Sequence, residues 1–186
     1  MRIQAWTELT TGERFTLSMN HFKAMSDDAS KSKRVDNVTW LMNGLSNSSK
    51  VKDPDILIMG DLNAQMDEDC MTVIQSNGYA EQLLRFDANA YSYVYYGEHE
   101  LIDHAFANST MAEQITGAAV WHTNTSTYYN NRYSDHDAVL VGLRLGAQGA
   151  AVEMIEIAEP ARKEVRNGQI VIIRGGVVYT ITGQRF

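Results

Sequence analysis

The sequence lacks several features that would place a protein in a class at once. It has a single cysteine, Cys70, among its 186 residues, which excludes an intrachain disulfide framework. It has no apolar run that approaches the length of a membrane span. It also lacks an excess of basic residues, because 16 Lys and Arg against 23 Asp and Glu give a net charge of −7. This balance argues against binding nucleic acid by bulk charge alone, although a bound metal ion could still attract phosphate.

The amino terminus has no apolar core of the signal-peptide type. Residues 1–15 read instead like the middle of a domain, with a strand, a turn at Thr11-Gly12 and a second strand. This pattern favours a folding unit that starts before Met1. The length suits one domain with a small appendage.

A crossover is predicted in the first third of the chain. Apolar alternation predicts a strand over residues 15–22, and apolar spacing predicts a helix over residues 35–45. The apolar run Ile56–Met59 predicts a buried strand. Strand, helix and strand in this order are expected to give two parallel strands that end at the same edge. That edge would carry Asn20-His21 and residues 60–63.

The remainder of the first 145 residues is predicted to continue this mixed pattern. The expected elements are a short helix near residues 69–76, a hairpin formed by residues 91–96 and 101–106, a short helix capped by Thr110 and Glu113 and ended by Gly117, and strands at residues 119–121 and 138–145. The last strand starts just after Ser134-Asp135-His136. An antiparallel orientation would therefore bring these three residues to the same rim.

A set of polar side chains lies at or near the predicted strand ends. Its members are Asn20, His21, Asp61, Asn63, Asp103, Asp135 and His136. The set supplies three carboxylates, two carboxamides and two imidazoles. It suits metal-assisted phosphoryl chemistry, because a hard cation takes oxygen ligands, the attacking water needs a base and the phosphate needs donors.

These motifs also have simpler structural interpretations. Asp61-Leu62-Asn63 could be an Asx turn, His21 an edge histidine, and residues 134–137 a polar turn before a strand. Asp103 is harder to explain in this way, because a carboxylate inside an apolar strand is costly unless it is paired. Lys23 and Arg34 could reach substrate phosphates or lie in a solvated loop.

The aromatic and histidine residues outside this set leave alternatives open. Tyr91, Tyr93 and Tyr95 alternate on one predicted strand face, which favours packing over base stacking, although either role would suit them. His99 is expected to be solvated in a turn. The role of His122, structural or functional, is left open.

The order of four motifs, NHFK, GDLN, LIDH and YSDHDAV, resembles the endonuclease/exonuclease/phosphatase superfamily. Over about residues 3–145 the longer segments, among them NHFKAMSDD, ILIMGDLNA and YSYVYYGEHELIDHAFAN, are similar to secreted bacterial nucleases of that superfamily. The resemblance implies an α/β (α+β) fold, a partial two-sheet sandwich of the deoxyribonuclease-like type. It also implies a divalent ion, usually Mg²⁺, with Ca²⁺ or Mn²⁺ as alternatives.

The resemblance implies a catalytic role for five residues. Asp61 and Asn63 would orient the water and the phosphate. His136 would be the general base, polarised by Asp103. His21 would bind a phosphate oxygen or assist the leaving group.

The remaining site residues would hold the substrate and the metal. The resemblance implies phosphate contacts for Asn20, Lys23 and Arg34, and a metal site that includes Asp61 and Asp135. The family also has an early Asn and a strand-borne Glu that hold the metal, and nothing before Phe15 matches them. Residues 1–145 are therefore expected to be the C-terminal half of the domain, as a fragment, a truncated gene product or half of a split protein that has the N-terminal half as its partner.

The composition changes after Leu145. Residues 146–162 are predicted to be a linker, and residues 163–186 to form a β-hairpin tail around Gly175-Gly176. The segment RNGQIVIIRGGVVYTITGQRF resembles C-terminal sorting signals of Bacteroidetes proteins, which implies a secreted or cell-surface protein. A capping hairpin on the main domain is the alternative.

The first functional hypothesis is a metal-dependent phosphodiester hydrolase, an extracellular nuclease that cleaves DNA or RNA with low sequence specificity. A phosphatase or a sphingomyelinase-like phospholipase of the same fold is the nearest alternative. A catalytically inert surface module is a further one. The unmatched Glu favours the inert module, whereas Asp61, Asp103 and His136 oppose it.

Overall fold

The computed structural model describes residues 1–47, 51, 53–126, 131–146, 162–166, 169–174, 177–180 and 185. The chain divides into two compact units, Met1–Gln148 and Gly149–Phe186. None of the described helices is long and apolar enough to cross a membrane.

The described part of the first unit alternates strands with one helix of 20 residues and three shorter helices. In chain order its elements are β1 (Arg2–Thr7), β2 (Arg14–His21), α1 (Asp28–Asn47), β3 (Ile56–Asp61), α2 (Asp69–Ser76), β4 (Tyr79–Glu81), α3 (Leu83–Phe86), β5 (Tyr93–Tyr95), β6 (Glu98–Glu100), β7 (Asp103–Asn108), α4 (Ser109–Ala112), β8 (Ile115–Trp121) and β9 (Ala138–Leu143).

A five-stranded mixed sheet in the order β1-β2-β3-β7-β4 forms the centre of this unit. Strands β2 and β3 are parallel, as the crossover predicts, and their register pairs His21 with Asp61. Strand β7 runs antiparallel to β3 and pairs Asp61 with Asp103. Three polar side chains on adjacent strands are thereby brought to one edge of the sheet.

The helical layer covers one face of this sheet. Apolar residues of α1 at positions 38, 41, 42 and 45 are buried in one core cluster with Ile56, Ile58 and Phe106. The helix begins earlier than predicted, at Asp28, and includes most of the polar stretch 26–34. Asp27 explains the earlier start, because its carboxylate accepts hydrogen bonds from the Ser30 amide (3.0 Å) and hydroxyl (2.7 Å).

A second sheet covers the opposite face. Strands β8 and β9 pair antiparallel, and Ile115 of β8 is buried in a cluster with Leu57 and Ala107 of the main sheet. Leu57 faces the second sheet, whereas its neighbours Ile56 and Ile58 face the helices, because successive strand residues point to opposite faces. The predicted two-sheet α/β sandwich is confirmed.

The predicted hairpin of residues 91–96 and 101–106 is wrong. Strand β5 pairs with β6 across a tight turn at Tyr96-Gly97, whose φ values are 47° and 89°, as in a two-residue hairpin loop. Strand β7 joins β3 and β4 in the main sheet instead. An apolar strand gains more from burial on both faces than from pairing in an exposed ribbon.

The predicted capping box is also wrong. The side chain of Asn108, and not that of Thr110, caps α4 by accepting from the Met111 amide. Gly117 lies within β8, well after the last residue of α4.

Gly60 occupies a position that no other residue fits well. Its φ is +127°, and an added Cβ would collide with the carbonyl oxygen of Asn20 on the neighbouring strand.

We predict that Gly60→Ala lowers the free energy of unfolding by about 3 kcal/mol or more, measured by urea denaturation. Gly117→Ala is the matched control, because its Cβ would meet nothing within 4 Å; it should change stability by no more than about 1 kcal/mol. Equal effects of the two substitutions would show that an added side chain at position 60 causes no special strain.

The second unit is a three-stranded antiparallel sheet. Its strands are β10 (Arg162–Arg166), β11 (Gln169–Arg174) and β12 (Val177–Thr180), in that order. The two strands predicted for the tail are present as β11 and β12, and β10 adds a third on β11. The turn at Gly175-Gly176 and the predicted linker from residue 147 to residue 161 lie outside the described residues.

Candidate active site

The candidate site lies at the sheet edge where β2 and β3 end and β7 begins. Residues 134–136 reach the same edge through an antiparallel bridge between His136 and Tyr93. The edge borders an open cleft of about 1010 Å³, lined by Asp61, Asp103 and His136 among others. The structure therefore brings together side chains that are up to 115 positions apart in the chain, from His21 to His136.

Asp103 and His136 form a close pair. His136 Nδ1 lies 2.6 Å from Asp103 Oδ2, and the Ser92 hydroxyl donates to the same carboxylate oxygen at 2.7 Å. The hydrogen bond to Asp103 is the main cause that raises the pKa of His136 above its usual value. This pairing explains how a carboxylate is accommodated in an apolar strand. The contact uses Nδ1, so the other imidazole nitrogen, Nε2, is not the one that holds Asp103.

Asp61 and Asn63 form a turn held by two hydrogen bonds. The Asn63 amide donates to Asp61 Oδ1 at 2.9 Å, and Asn63 Nδ2 donates to Oδ2 at 2.9 Å. Asn63 also donates to the Phe22 carbonyl at 3.3 Å and takes a left-handed φ of 51°. The predicted Asx-type turn is therefore present, and it orients the Asp61 carboxylate at the cleft.

The Asp61 carboxylate is partly desolvated. Burial is the largest cause that raises its pKa, and the nearby Asp103 charge adds to the effect, while the Asn63 amide, His136 and His21 oppose it. His21 Nε2 lies 3.4 Å from Asp61 Oδ2, and 74% of the His21 side chain is exposed. His21 therefore borders the cluster from its solvent side.

Three side chains form a group that fits a metal ion. One ligand atom each from Asp61, Asp103 and His136 lies within 4.8 Å of the others. Two carboxylates at this spacing repel each other, and a divalent cation would relieve that repulsion. Within the described part of the chain Asp135 is not a member of this group, although it lines the same cleft and is exposed.

The phosphate contact predicted for Asn20 is not supported by the structure. Asn20 is buried, and its amide nitrogen donates to the carbonyl and the hydroxyl of Ser18 at 3.0 and 3.1 Å. Its Oδ1 is an acceptor and has no protein partner among the described residues. A phosphate oxygen needs a donor, and the amide nitrogen of Asn20 already donates to its own strand and, at 3.5 Å, to the Met59 carbonyl of β3.

The phosphate contact predicted for Arg34 is corrected as well. Its side chain is 1% exposed, and its guanidinium contacts Glu68 at 2.6 and 3.1 Å. Nη1 also donates to the carbonyls of Lys23 and Met25 at 2.8 and 2.7 Å. Arg34 therefore fixes the loop that follows His21. The side chain of Lys23 is exposed, and its phosphate contact stays a prediction.

We predict that Arg34→Ala lowers the free energy of unfolding by about 3 kcal/mol, because it leaves Glu68 and two carbonyls without their donor. Urea denaturation of purified protein measures the change. Lys33→Ala is the neighbouring control, since the ion pair that Lys33 makes with Asp36 at 3.5 Å is exposed and should contribute less than about 1 kcal/mol. Equal losses for the two variants would show that Arg34 is not a structural clamp.

A second histidine–aspartate pair, His122–Asp137, was not predicted. His122 Nδ1 lies 2.8 Å from Asp137 Oδ2, and Asp137 also accepts from the amides of Thr123, Asn124 and Thr125 and from the Thr125 hydroxyl. Burial alone would raise the pKa of Asp137, but the hydrogen bonds from Thr125 and His122 lower it to about 2. This pair fastens the loop before the candidate site.

Sequence reasoning missed Ser92, and it left Tyr91 open between packing and base stacking. Ser92 donates to Asp103, and its carbonyl accepts from the Asp137 amide at 2.8 Å. The Tyr91 ring stacks between His99 at 3.8 Å and His122 at 4.2 Å. The sequence signal that could have identified Ser92 is its position between two tyrosines. No local pattern indicates that Tyr91 stacks with the two histidines.

Known proteins that are similar to this chain are found among solved structures. No protein-family model matches the sequence, and no curated protein does either. An endonuclease/exonuclease/phosphatase from Bacteroides vulgatus superposes with a TM-score of 0.59 at 16% identity, covering 77% of this chain and 54% of that one. An AP endonuclease from Archaeoglobus fulgidus gives 0.57 at 13% identity, covering 73% and 63%.

A mannosyl-6-phosphatase from Bacteroides thetaiotaomicron has a TM-score of 0.54 at 18% identity, covering 73% of this chain and 53% of that one. The chain thus spans between about half and two thirds of the length of these structures. The candidate cluster lies at the edge of a sandwich that they share. The chain has the mixed α/β sandwich fold of the endonuclease/exonuclease/phosphatase proteins.

Proposed function

We propose that this chain is a metal-dependent phosphodiester hydrolase that acts on nucleic acid. The observation that carries the proposal is the cluster at the sheet edge, where a 2.6 Å Asp103–His136 pair lies beside Asp61. A histidine held by a carboxylate is suited to take a proton from water. The fold neighbours include proteins named as nucleases and as phosphatases.

The chain's own residues supply most of the proposed chemistry. Because the hydrogen bond to Asp103 holds His136 Nδ1, Nε2 is available to accept the proton of an attacking water. Asp103 stabilises the imidazolium that results. Asp61 fixes the Asn63 side chain, and His21 is placed to bind a phosphate oxygen or to protonate the leaving oxygen.

A divalent ion held by Asp61 and Asp103 would neutralise the charge that develops on the phosphate. Asp135 would complete that site from the cleft wall if its exposed side chain turns inward. We propose Mg²⁺ as the ion, with Ca²⁺ and Mn²⁺ as alternatives, since carboxylate oxygens suit all three.

Three substrates separate the proposed activity from the phosphatase and phospholipase alternatives. We expect the purified chain to hydrolyse bis(p-nitrophenyl) phosphate, a diester, in the presence of Mg²⁺ and to stop when EDTA is added. Faster hydrolysis of the monoester p-nitrophenyl phosphate would favour a phosphatase, in line with the sugar phosphatase among the neighbours. Release of phosphocholine from sphingomyelin would favour the phospholipase alternative, and no metal-dependent hydrolysis of any of the three would favour an inert module.

We also propose that residues 163–186 direct the protein to the cell surface or the medium. The support is the sequence pattern of this segment, which contains three strands that form their own small sheet from residue 162 onwards. A reporter protein fused to residues 163–186, expressed in a Bacteroidetes host behind a signal peptide, should be recovered outside the outer membrane. Retention of the reporter in the periplasm would contradict this role.

A further inference from the structure

We propose that Tyr93, Tyr95 and Tyr96 form a stacking platform for unpaired nucleobases beside the candidate site, so that single-stranded nucleic acid is the preferred substrate. We call these three residues the tyrosine platform. The inference rests on the proposed nuclease function and deepens it by naming a substrate class.

The rings of the platform make an unbroken series that starts at the proposed base. The Tyr93 ring lies 4.8 Å from the His136 ring. The Tyr95 ring follows at 6.2 Å, nearly parallel to Tyr93 with an interplanar angle of 19°. Tyr96 packs edge-on against Tyr95 at 4.5 Å. The hairpin produces this arrangement, because alternate residues of β5 share one face and the turn adds Tyr96 at their end.

The outer rings of the platform are open to solvent. Tyr95 is 53% exposed and Tyr96 is 91% exposed. Tyr91 of the same segment shows the contrasting case, since histidine rings cover both of its faces. Tyr91 is therefore accounted for by packing alone. Exposed aromatic faces beside a catalytic cleft instead offer the large flat surfaces on which bases stack.

The charges around the platform favour bases over phosphates. Glu100 and Glu98 lie opposite Tyr93 and Tyr95 in the register of the hairpin. Their carboxylates would repel a phosphate backbone, but they can accept hydrogen bonds from the amino groups of bases. With a net charge of −7, the protein gains little affinity from bulk electrostatics, so stacking has to supply it. A duplex hides the faces of its bases, and an unpaired strand exposes them.

The test compares two oligonucleotides that share a backbone. Fluorescein-labelled dT10 and a 10-mer of abasic residues are titrated with the full chain in EDTA, which prevents metal-dependent cleavage, and binding is followed by fluorescence anisotropy. We expect dT10 to bind roughly 5- to 160-fold more tightly, as one stacked base would give. The double substitution Tyr95→Ala with Tyr96→Ala should abolish that preference.

Two further variants make the result specific to the rings. Tyr95→Phe with Tyr96→Phe should keep the preference for dT10, because the aromatic faces remain. Trp40→Ala removes an aromatic side chain of α1 that is 65% exposed, and it should also keep the preference. Circular dichroism checks that each variant is folded.

The outcomes for the platform and for the proposed function are separate. Equal affinity for the two oligonucleotides, no measurable binding of either, or a preference that survives the double alanine substitution would overturn the platform. A preference that depends on the tyrosines would support it, even if Mg²⁺ then failed to produce cleavage. In that last case the hydrolase function would fail while the base-binding surface would stand.

Discussion

Replacing His136 by asparagine is expected to lower kcat/KM for a phosphodiester by about 10²- to 10⁴-fold, the usual contribution of a general base. Asparagine can still donate a hydrogen bond to Asp103, in place of the 2.6 Å contact from Nδ1. It has no basic nitrogen to take a proton from water. The substitution therefore removes the proposed chemistry and leaves the local pairing in place. Steady-state kinetics with bis(p-nitrophenyl) phosphate at saturating Mg²⁺ measure the loss.

The chain offers a matched control in its second histidine–aspartate pair. His122 contacts Asp137 at 2.8 Å through the same imidazole nitrogen, but it does not line the candidate cleft. His122→Asn should keep kcat/KM within about threefold of the wild type, because only a group in the chemical step carries the large effect. Comparable losses in the two variants would mean that His136 acts through structure and not as the base.

Replacing Asp61 by asparagine is expected to lower kcat by about 10³-fold, since it removes a carboxylate from the group that fits a metal ion. The half-saturating Mg²⁺ concentration should rise at the same time. Asparagine has nearly the shape of aspartate and keeps one side-chain oxygen, so the hydrogen bond that Asp61 accepts from the Asn63 amide is expected to persist. Magnesium titrations of the initial rate measure both quantities.

Asp36→Asn controls for the loss of one negative charge. Asp36 is exposed on α1, and its contact with Lys33 lies at the surface, so kcat and the Mg²⁺ requirement should stay at their wild-type values. If Asp61→Asn lowered the rate with no change in the Mg²⁺ requirement, Asp61 would be an orienting residue and not a metal ligand.

The sequence was sufficient to predict how the two halves of the site meet. The alternation before Asn20-His21 and the apolar run before Asp61 define two strands, and the intervening helix forces them to be parallel. Strand ends of a crossover share an edge whatever the rest of the fold does. The rim position of His21 and Asp61 follows from these local rules.

Pairing across longer distances could not be read in the same way. Residues 103–108 have the pattern of a strand, but that pattern does not say which neighbour the strand will take. The competition between a hairpin with residues 91–96 and the centre of the main sheet is decided by burial, since Ala105, Phe106 and Ala107 are fully buried there. Tertiary packing therefore overrode proximity in the chain.

Arg34 and Asn20 show a second limit of sequence reasoning. Both residue types can bind phosphate, and both lie near the catalytic motifs in the sequence. Their actual partners are Glu68 for Arg34 and Ser18 for Asn20, and each partner satisfies a buried polar group. A motif indicates which chemistry a side chain could perform, but only the surrounding structure shows whether its donors are free.

The cleavage of supercoiled plasmid tests the central claim most directly, because it combines the substrate, the metal and the cluster in one reaction. The wild-type chain with Mg²⁺ should convert the plasmid to nicked and linear forms, and EDTA should stop the conversion until Mg²⁺ is added back in excess. His136→Asn should leave the plasmid supercoiled over the same period, while His122→Asn should nick it like the wild type. Nicking that persists in EDTA or in His136→Asn, or no cleavage of either this plasmid or a circular single-stranded DNA by the wild-type chain with Mg²⁺, Mn²⁺ or Ca²⁺, would contradict a metal-dependent nuclease site at this sheet edge.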